Sequence, residues 1–321
     1  MISVLIPFLF STAASAAVSV STPVANYDFA EQLKTEQSRI ENDPLDLKRV
    51  LSIADLKLLT AGHAASREWL QSYLSRSLVL PPETTSRLQE KLVGLLSRFR
   101  LEEAQSLYFR GEIQRQNGDY TAALALFTQA VRQEPENLTL LNEKLLTEFH
   151  LGLYPAYYDT LSTVYTIVPF QRDLRVQLTE AHLKFKAYQK VIDLEEARPV
   201  GRSAREELAL ASAYYELGKK DLAVPLFRSL FSRLKDPASQ FIITYYLGKS
   251  LAENEHLNAA KWNLLRSQRS ARHLSVPRWD PYDLPGKTSA IPDLLAKLEA
   301  KMDPAEPTVP SAAPAAPAGQ N

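Results

Sequence analysis

Residues 104–137 read AQSLYFRGEIQRQNGDYTAALALFTQAVRQEPEN, and this stretch decides the fold. Leu107, Gly111, Ala123, Phe127 and Ala130 fall at helical spacing on either side of Gly118, which predicts two amphipathic helices joined by a glycine turn. Advancing by one period, to Leu138–Gln171, places Leu141, Leu145, Gly152, Tyr154, Tyr157, Leu161, Val164 and Pro169 at the offsets of Leu107, Gly111, Gly118, Tyr120, Ala123, Phe127, Ala130 and Pro135. Self-similarity at this period marks stacked helix pairs, each burying its apolar face against its neighbours.

Three further units follow. The third starts near Arg172, keeps Tyr188 and Val191, and has a second helix cut short by Pro199. A fourth starts near Ala204 with Ala211, Tyr214, Gly218, Ala223, Phe227 and Leu230, and a fifth near Phe241 with Leu247, Gly248, Leu251, Leu257, Ala260 and Leu264. The facing pairs Gly111 with Ala123, Ala211 with Ala223, and Gly248 with Ala260 let two helices approach closely. These positions resemble the tetratricopeptide repeat, whose unit is 34 residues. The resemblance covers 104–270 and implies an all-α, right-handed α-solenoid of about five helix pairs.

The remaining chain is assigned around that array. Of its 321 residues only 10 are Gly, none is Cys, and no run alternates like a strand, which also points to an all-α chain. Residues 1–27 carry no charge, and Ile2–Phe10 is an apolar run followed by Ala14-Ser15-Ala16. This is read as a signal peptide, 1–16, cut near Ala16 and followed by a linker, 17–26. It departs from the usual export signal in having no Lys or Arg ahead of the run, and an uncleaved anchor is the alternative. Residues 27–103 form amphipathic blocks without repeat signatures, read as an N-terminal helical cap, with degenerate repeats as the alternative. The array runs from 104 to 274 in units near 104–137, 138–171, 172–203, 204–240 and 241–274. A C-terminal loop and capping helix, 275–302, follows, with the helix expected from Ile291. Residues 303–321 hold five prolines in nineteen positions and are expected to be a disordered Pro/Ala-rich tail.

Composition narrows function. Lys plus Arg and Asp plus Glu are both 37, so no global charge favours nucleic acid. Without cysteine there is no disulfide scaffold, thiolate nucleophile or cysteine-held metal. The histidines, His63, His150, His182, His256 and His273, show no i, i+4 pair, which gives no support to a helical zinc site. Gly286-Lys287-Thr288 lacks the earlier glycine and strand of a phosphate loop, and Glu102-Glu103 and Glu206-Glu207 are adjacent acids pointing in different directions. The Asn137-Leu138-Thr139 sequon matters only in a eukaryotic secretory pathway. The expectation is no enzyme activity and no cofactor.

The resemblance also implies a groove lined by the first helix of each unit. Carried over by offset, its candidates are Gln105, Tyr108, Glu112 and Arg115 in the first unit and Asn142, Phe149 and His150 in the second. Ser212, Tyr215, Tyr245 and Lys249 supply the fourth and fifth. Family members that grip a terminal carboxylate do so with Lys and Asn where this chain has Tyr108 and Glu112, so that clamp is not expected in this unit. A second candidate is the acid-free stretch 261–278, whose Lys261, Arg266, Arg269 and Arg272 form a basic face.

The function expected is a non-enzymatic protein–protein interaction scaffold or adaptor in the cell envelope, periplasmic or secreted, holding a peptide or helix in the groove. It is not expected to be transmembrane after signal cleavage, and peripheral envelope association is compatible with the basic face. The alternative is binding of glycan, lipid or cell-wall polymer through the groove or the basic face.

Overall fold

The computed structural model describes residues 29–74, 80–197, 201–275, 277 and 279–302. The expected signal peptide, the linker and the Pro/Ala tail fall outside them. All regular structure among the described residues is helical: α1 (Phe29–Asn42), α2 (Leu47–Leu74), α3 (Pro82–Leu96), α4 (Glu102–Gln116), α5 (Tyr120–Gln133), α6 (Leu138–Leu151) and α7 (Tyr154–Ile167) come first. Then follow α8 (Arg172–Lys184), α9 (Tyr188–Glu196), α10 (Ala204–Glu216), α11 (Lys220–Arg233), α12 (Pro237–Glu253), α13 (Leu257–Ala271) and α14 (Leu284–Met302). The chain divides within α8 into two compact bodies, whose described residues are 29–178 and 179–302.

Side chains at the helix starts set several boundaries. Asp119 accepts the Ala122 amide, Asn137 accepts those of Thr139 and Leu140, and Asp236 accepts that of Ser239. Ser203 and Glu206 form a reciprocal capping box ahead of α10. Each cap satisfies amides that the first turn leaves without intrahelical acceptors. Close approach inside a pair is enforced by glycine: a Cβ at Gly111 would stand 2.6 Å from the Phe127 ring, and one at Gly248 2.7 Å from Leu264.

In the body 29–178, α2 is not one rod. Gly62 adopts φ 83° and ψ −176°, a combination essentially restricted to glycine, and the helix doubles back there. The Ser66 hydroxyl donates to the Ala54 carbonyl at 2.7 Å and Trp69 Nε1 to the Val50 carbonyl at 3.3 Å, so the arms 47–61 and 63–74 lie antiparallel. Val50, Ile53, Ala54, Leu70 and Tyr73 are buried between and beneath them. Further along, the α5–α6 turn grips the α3–α4 turn. Glu134, 1% exposed, accepts the amides of Arg100 and Leu101 at 2.7 Å each, while Asn137 Nδ2 donates to the Arg98 carbonyl. Burial alone raises the Glu134 pKa, but the Asn137 side-chain donor, the two amides and the Arg100 charge outweigh it and leave the carboxyl below its ordinary value.

The body 179–302 holds a continuous core built on Phe227, Phe241, Ile243, Tyr246 and Leu264, to which α14 contributes Leu284, Ile291 and Leu298. Helix α14 begins at Leu284, ahead of the expected Ile291, because Asp280 accepts the amides of Tyr282 and Leu284 at 3.0 and 2.6 Å and Pro285 falls in the first turn.

Candidate partner-binding groove

In the first body the α4 and α6 candidates converge. Arg115 forms a two-pronged pair with Glu112, Nε to Oε1 at 2.9 Å and Nη2 to Oε2 at 2.7 Å, and its Nε is also 3.6 Å from Glu143 Oε2. Tyr108 stands over this pair, half-buried, its ring 5.2 Å from that of Phe99 and 6.2 Å from that of Phe127. Burial, reinforced by the charges of Glu112 and Glu143, pushes the Tyr108 phenol up to about 12. Burial likewise raises the Glu143 carboxyl to about 7, with Glu112 pushing the same way and Arg115 opposing. The result is a polar wall of Tyr108, Glu112, Arg115, Asn142 and Glu143. Of its buried acceptors, Asn142 Oδ1 has no hydrogen-bond donor and Glu143 Oε2 has only the 3.6 Å ion pair to Arg115.

Other candidates on these helices do not join that wall. Gln105 is exposed near the start of α4. Phe149 packs on Tyr154 and Tyr157 of the following helix, at 6.0 and 5.4 Å between ring centroids, and His150 stacks on Tyr120 at 5.1 Å. Both are seam residues, held between helices by aromatic packing.

Residues 90–156 match a family model described as the tetratricopeptide repeat. This segment carries the tetratricopeptide repeat. Among solved structures, the C-terminal part of a TPR repeat-containing protein from Cytophaga hutchinsonii is 13% identical, with 77% of this chain and 95% of that chain covered and a TM-score of 0.39. A thermophilic TPR protein of Thermus thermophilus is 19% identical over 62% of this chain and 98% of that one, with a TM-score of 0.31. A tetratricopeptide repeat protein from Parabacteroides merdae is 14% identical over 79% and 98%, with a TM-score of 0.33. No curated protein matches the chain.

In the second body the repeat offsets lead to a more enclosed setting. Ser212 is 1% exposed and donates to the Leu208 carbonyl at 2.8 Å; it is a core residue, because the hydroxyl finds its acceptor one turn back on its own helix. Tyr215 and Tyr245 are buried as well, and Lys249 Nζ sits over both rings, 5.5 and 5.7 Å from their centroids. Burial and the Glu253 charge raise the Tyr215 phenol far above its ordinary value. Lys287, in the first turn of α14, reaches the same cluster. Its Nζ donates to the Tyr282 carbonyl at 2.5 Å and lies 5.4 Å from the Tyr246 centroid and 6.0 Å from that of Tyr245. The offsets of α10 and α12 are therefore covered by the chain's own C-terminal segment. No local signal in the sequence points to this, since Lys287 comes from 38 residues beyond Lys249. Glu143 was missed for a simpler reason: it falls one position outside the offsets that the resemblance supplies.

The basic stretch is not one face. Lys261 pairs with Glu299 of α14 at 2.9 Å, and Arg266 lies over the Phe231 ring at 4.5 Å and donates to Gln240 at 3.3 Å. Arg269 and Arg272 are exposed, near the 55% exposed Trp262 in sequence. Among the described residues no group of three or more His, Cys, Asp or Glu could hold a metal ion, and no helix is long and apolar enough to cross a membrane.

Proposed function

We propose that this chain is a non-enzymatic scaffold or adaptor of the cell envelope, exported by a signal peptide cut near Ala16, which holds a peptide or partner helix against the α4–α6 wall. One observation supports this reading above others. The wall presents Asn142 Oδ1 as a buried acceptor without a donor and Glu143 Oε2 held only by a long ion pair to Arg115, beside a half-buried tyrosine and a fixed Arg115–Glu112 pair. A peptide brings amide or cationic donors to such a surface, together with side chains that pack on the Tyr108 ring. The wall offers positioned hydrogen-bonding groups without a nucleophile–base arrangement, which suits binding rather than turnover.

The test is a photo-crosslinking amino acid placed separately at Tyr108 and at Arg269 in the native host, with captured molecules identified by mass spectrometry. A discrete protein captured from Tyr108, absent from Arg269, and lost when Glu112→Arg is added is the expected result. Capture from Arg269 alone, or of no protein, overturns it. That outcome favours the second reading, binding of glycan, lipid or cell-wall polymer, which rests on exposed Arg269 and Arg272 and the exposed Trp262. Salt-sensitive co-sedimentation with envelope polymer is its measurement.

A further inference from the structure

Three separate stretches of the first body meet around a cavity of about 20 Å³. The second arm of α2 supplies His63 and Arg67, the α3–α4 turn Arg98 and Arg100, and the α5–α6 turn Glu136. None of these belongs to the α4–α6 wall. Arg67 Nη1 donates to the Glu136 carboxylate, yet Arg67 Nε and His63 Nδ1 are buried without any hydrogen-bond partner. A buried polar atom left in that condition costs about 1–3 kcal/mol, and two at one cavity wall mark a place built to meet something else.

The charges point the same way. Arg67, Arg98 and Arg100 face a single lining acid, Glu136, in a chain whose net charge is zero. Glu134 lies 3.5 Å from Arg100, but its oxygens already serve the amides of Arg100 and Leu101 and the Asn137 side chain. Even if Glu134 is counted in full, one positive charge remains uncompensated. The arginines are also held in place: Asn137 fixes the Arg98 carbonyl at 3.1 Å, and the Glu134 carboxylate clamps the backbone of Arg100. His63 and Ala64 open the second arm of α2, so the positive end of that helix faces the cavity too.

We infer that this cavity binds a phosphoryl group. A water needs about 10–15 Å³, so the space of about 20 Å³ admits a group of oxygen size, and the rest of the ligand stays at its mouth. A phosphate carries about −1.5 to −2 charges at neutral pH, which the cationic excess attracts, and its oxygens suit the forked donors of arginine. One phosphate oxygen enters between Arg67 Nε and His63 Nδ1 while Arg98 and Arg100 meet the remaining charge at the mouth.

The probe is inorganic phosphate added to the full chain, read by the NMR resonance of the Arg67 Nε–Hε group, with acetate at matched ionic strength as control. The expected result is a saturable shift with phosphate, absent with acetate, with affinity reduced about tenfold or more in Arg98→Ala, a change at an exposed side chain that leaves the fold intact. Arg228→Ala, at an exposed position in the other body, should bind as the parent does. A shift that never saturates, one that acetate reproduces, or an Arg98→Ala curve equal to the parent's overturns the inference. Vesicles with and without phosphatidic acid distinguish the source. Binding that requires phosphatidic acid and is lost in Arg98→Ala places the phosphate on a lipid, whereas binding of free phosphate alone places it on a soluble ligand.

Discussion

At the scale of single residues, Glu143 ties the wall to pH. Burial, then Glu112, holds its carboxyl at about 7 against an ordinary 4.5, so folding favours the neutral form. The stability it contributes is fully present below pH 4.5 and is lost as pH rises through 7. Glu143→Gln keeps the neutral shape without the titration. Urea midpoints should therefore show the variant gaining on the parent between pH 5 and pH 8, by at most roughly 3 kcal/mol; a constant difference across that range would sink the assignment. Glycines offer a second residue-scale test. Gly111→Ala drives a Cβ to 2.6 Å from the Phe127 ring, whereas Gly94 has nothing within 4 Å. The first substitution should cost about 1–3 kcal/mol through overpacking, and the second should stabilise by about 0.5–1 kcal/mol through helix propensity. Thermal denaturation of the two variants checks both signs.

Between elements, the turns carry more of the specificity than the helices do. Asn137 accepts two amides at the start of α6, donates to Arg98, and donates to Glu134 at 2.9 Å, so one side chain both caps a helix and joins two turns. Asn137→Ala should cost more than the roughly 1 kcal/mol of an ordinary cap, about 2–3 kcal/mol once the buried Glu134 and Arg98 partners are stranded. Asn137→Asp keeps the cap but puts a carboxylate oxygen where the amide nitrogen stood, 2.9 Å from the buried Glu134 carboxylate and 3.1 Å from the Arg98 carbonyl, so it should be the least stable of the three at pH 7, and chemical denaturation ranks them. Helix pairs between 104 and 274 were legible because Gly118, Gly152 and Gly218 sit in turns at positive φ and the apolar spacing repeats around them. The amphipathic blocks ending at Gly62 and opening at Ser66 are separable in the sequence, but the hairpin is not, because a single glycine inside LKLLTAGHAASREWL does not say that the chain doubles back. Once the arms are separated, the first helices of successive pairs start at 29, 63, 102, 138, 172, 204 and 237, and the spacing from 29 to 63 is that of the clear repeats. The Arg67–Arg98–Arg100 cavity depends on that hairpin, so a reading that leaves 47–74 as one helix cannot bring its residues together.

For the molecule as a whole, the chain divides into two bodies where the repeat pattern has no break, inside α8. The period reports which helices resemble one another and is silent on which of them cluster into one compact body. The same limit hid the covering of Tyr245 and Lys249, since a C-terminal segment that returns to earlier helices leaves no periodic trace. Stability in stacked repeats is a sum of nearest-neighbour terms, which sets how far a core defect spreads. Phe227 is fully buried, stacked on Tyr246 at 5.1 Å within the core of the second body. Phe227→Ala should therefore cost about 3–5 kcal/mol and raise hydrogen exchange most in α10 to α13, where its neighbours lie. Exchange in α4 and α5 should change least, because destabilisation is local before it is global. Mass-spectrometric hydrogen exchange resolves these segments. Equal acceleration in α4 and α12 would mean that the two bodies unfold as one cooperative unit, and the nearest-neighbour description would have to be abandoned for this protein.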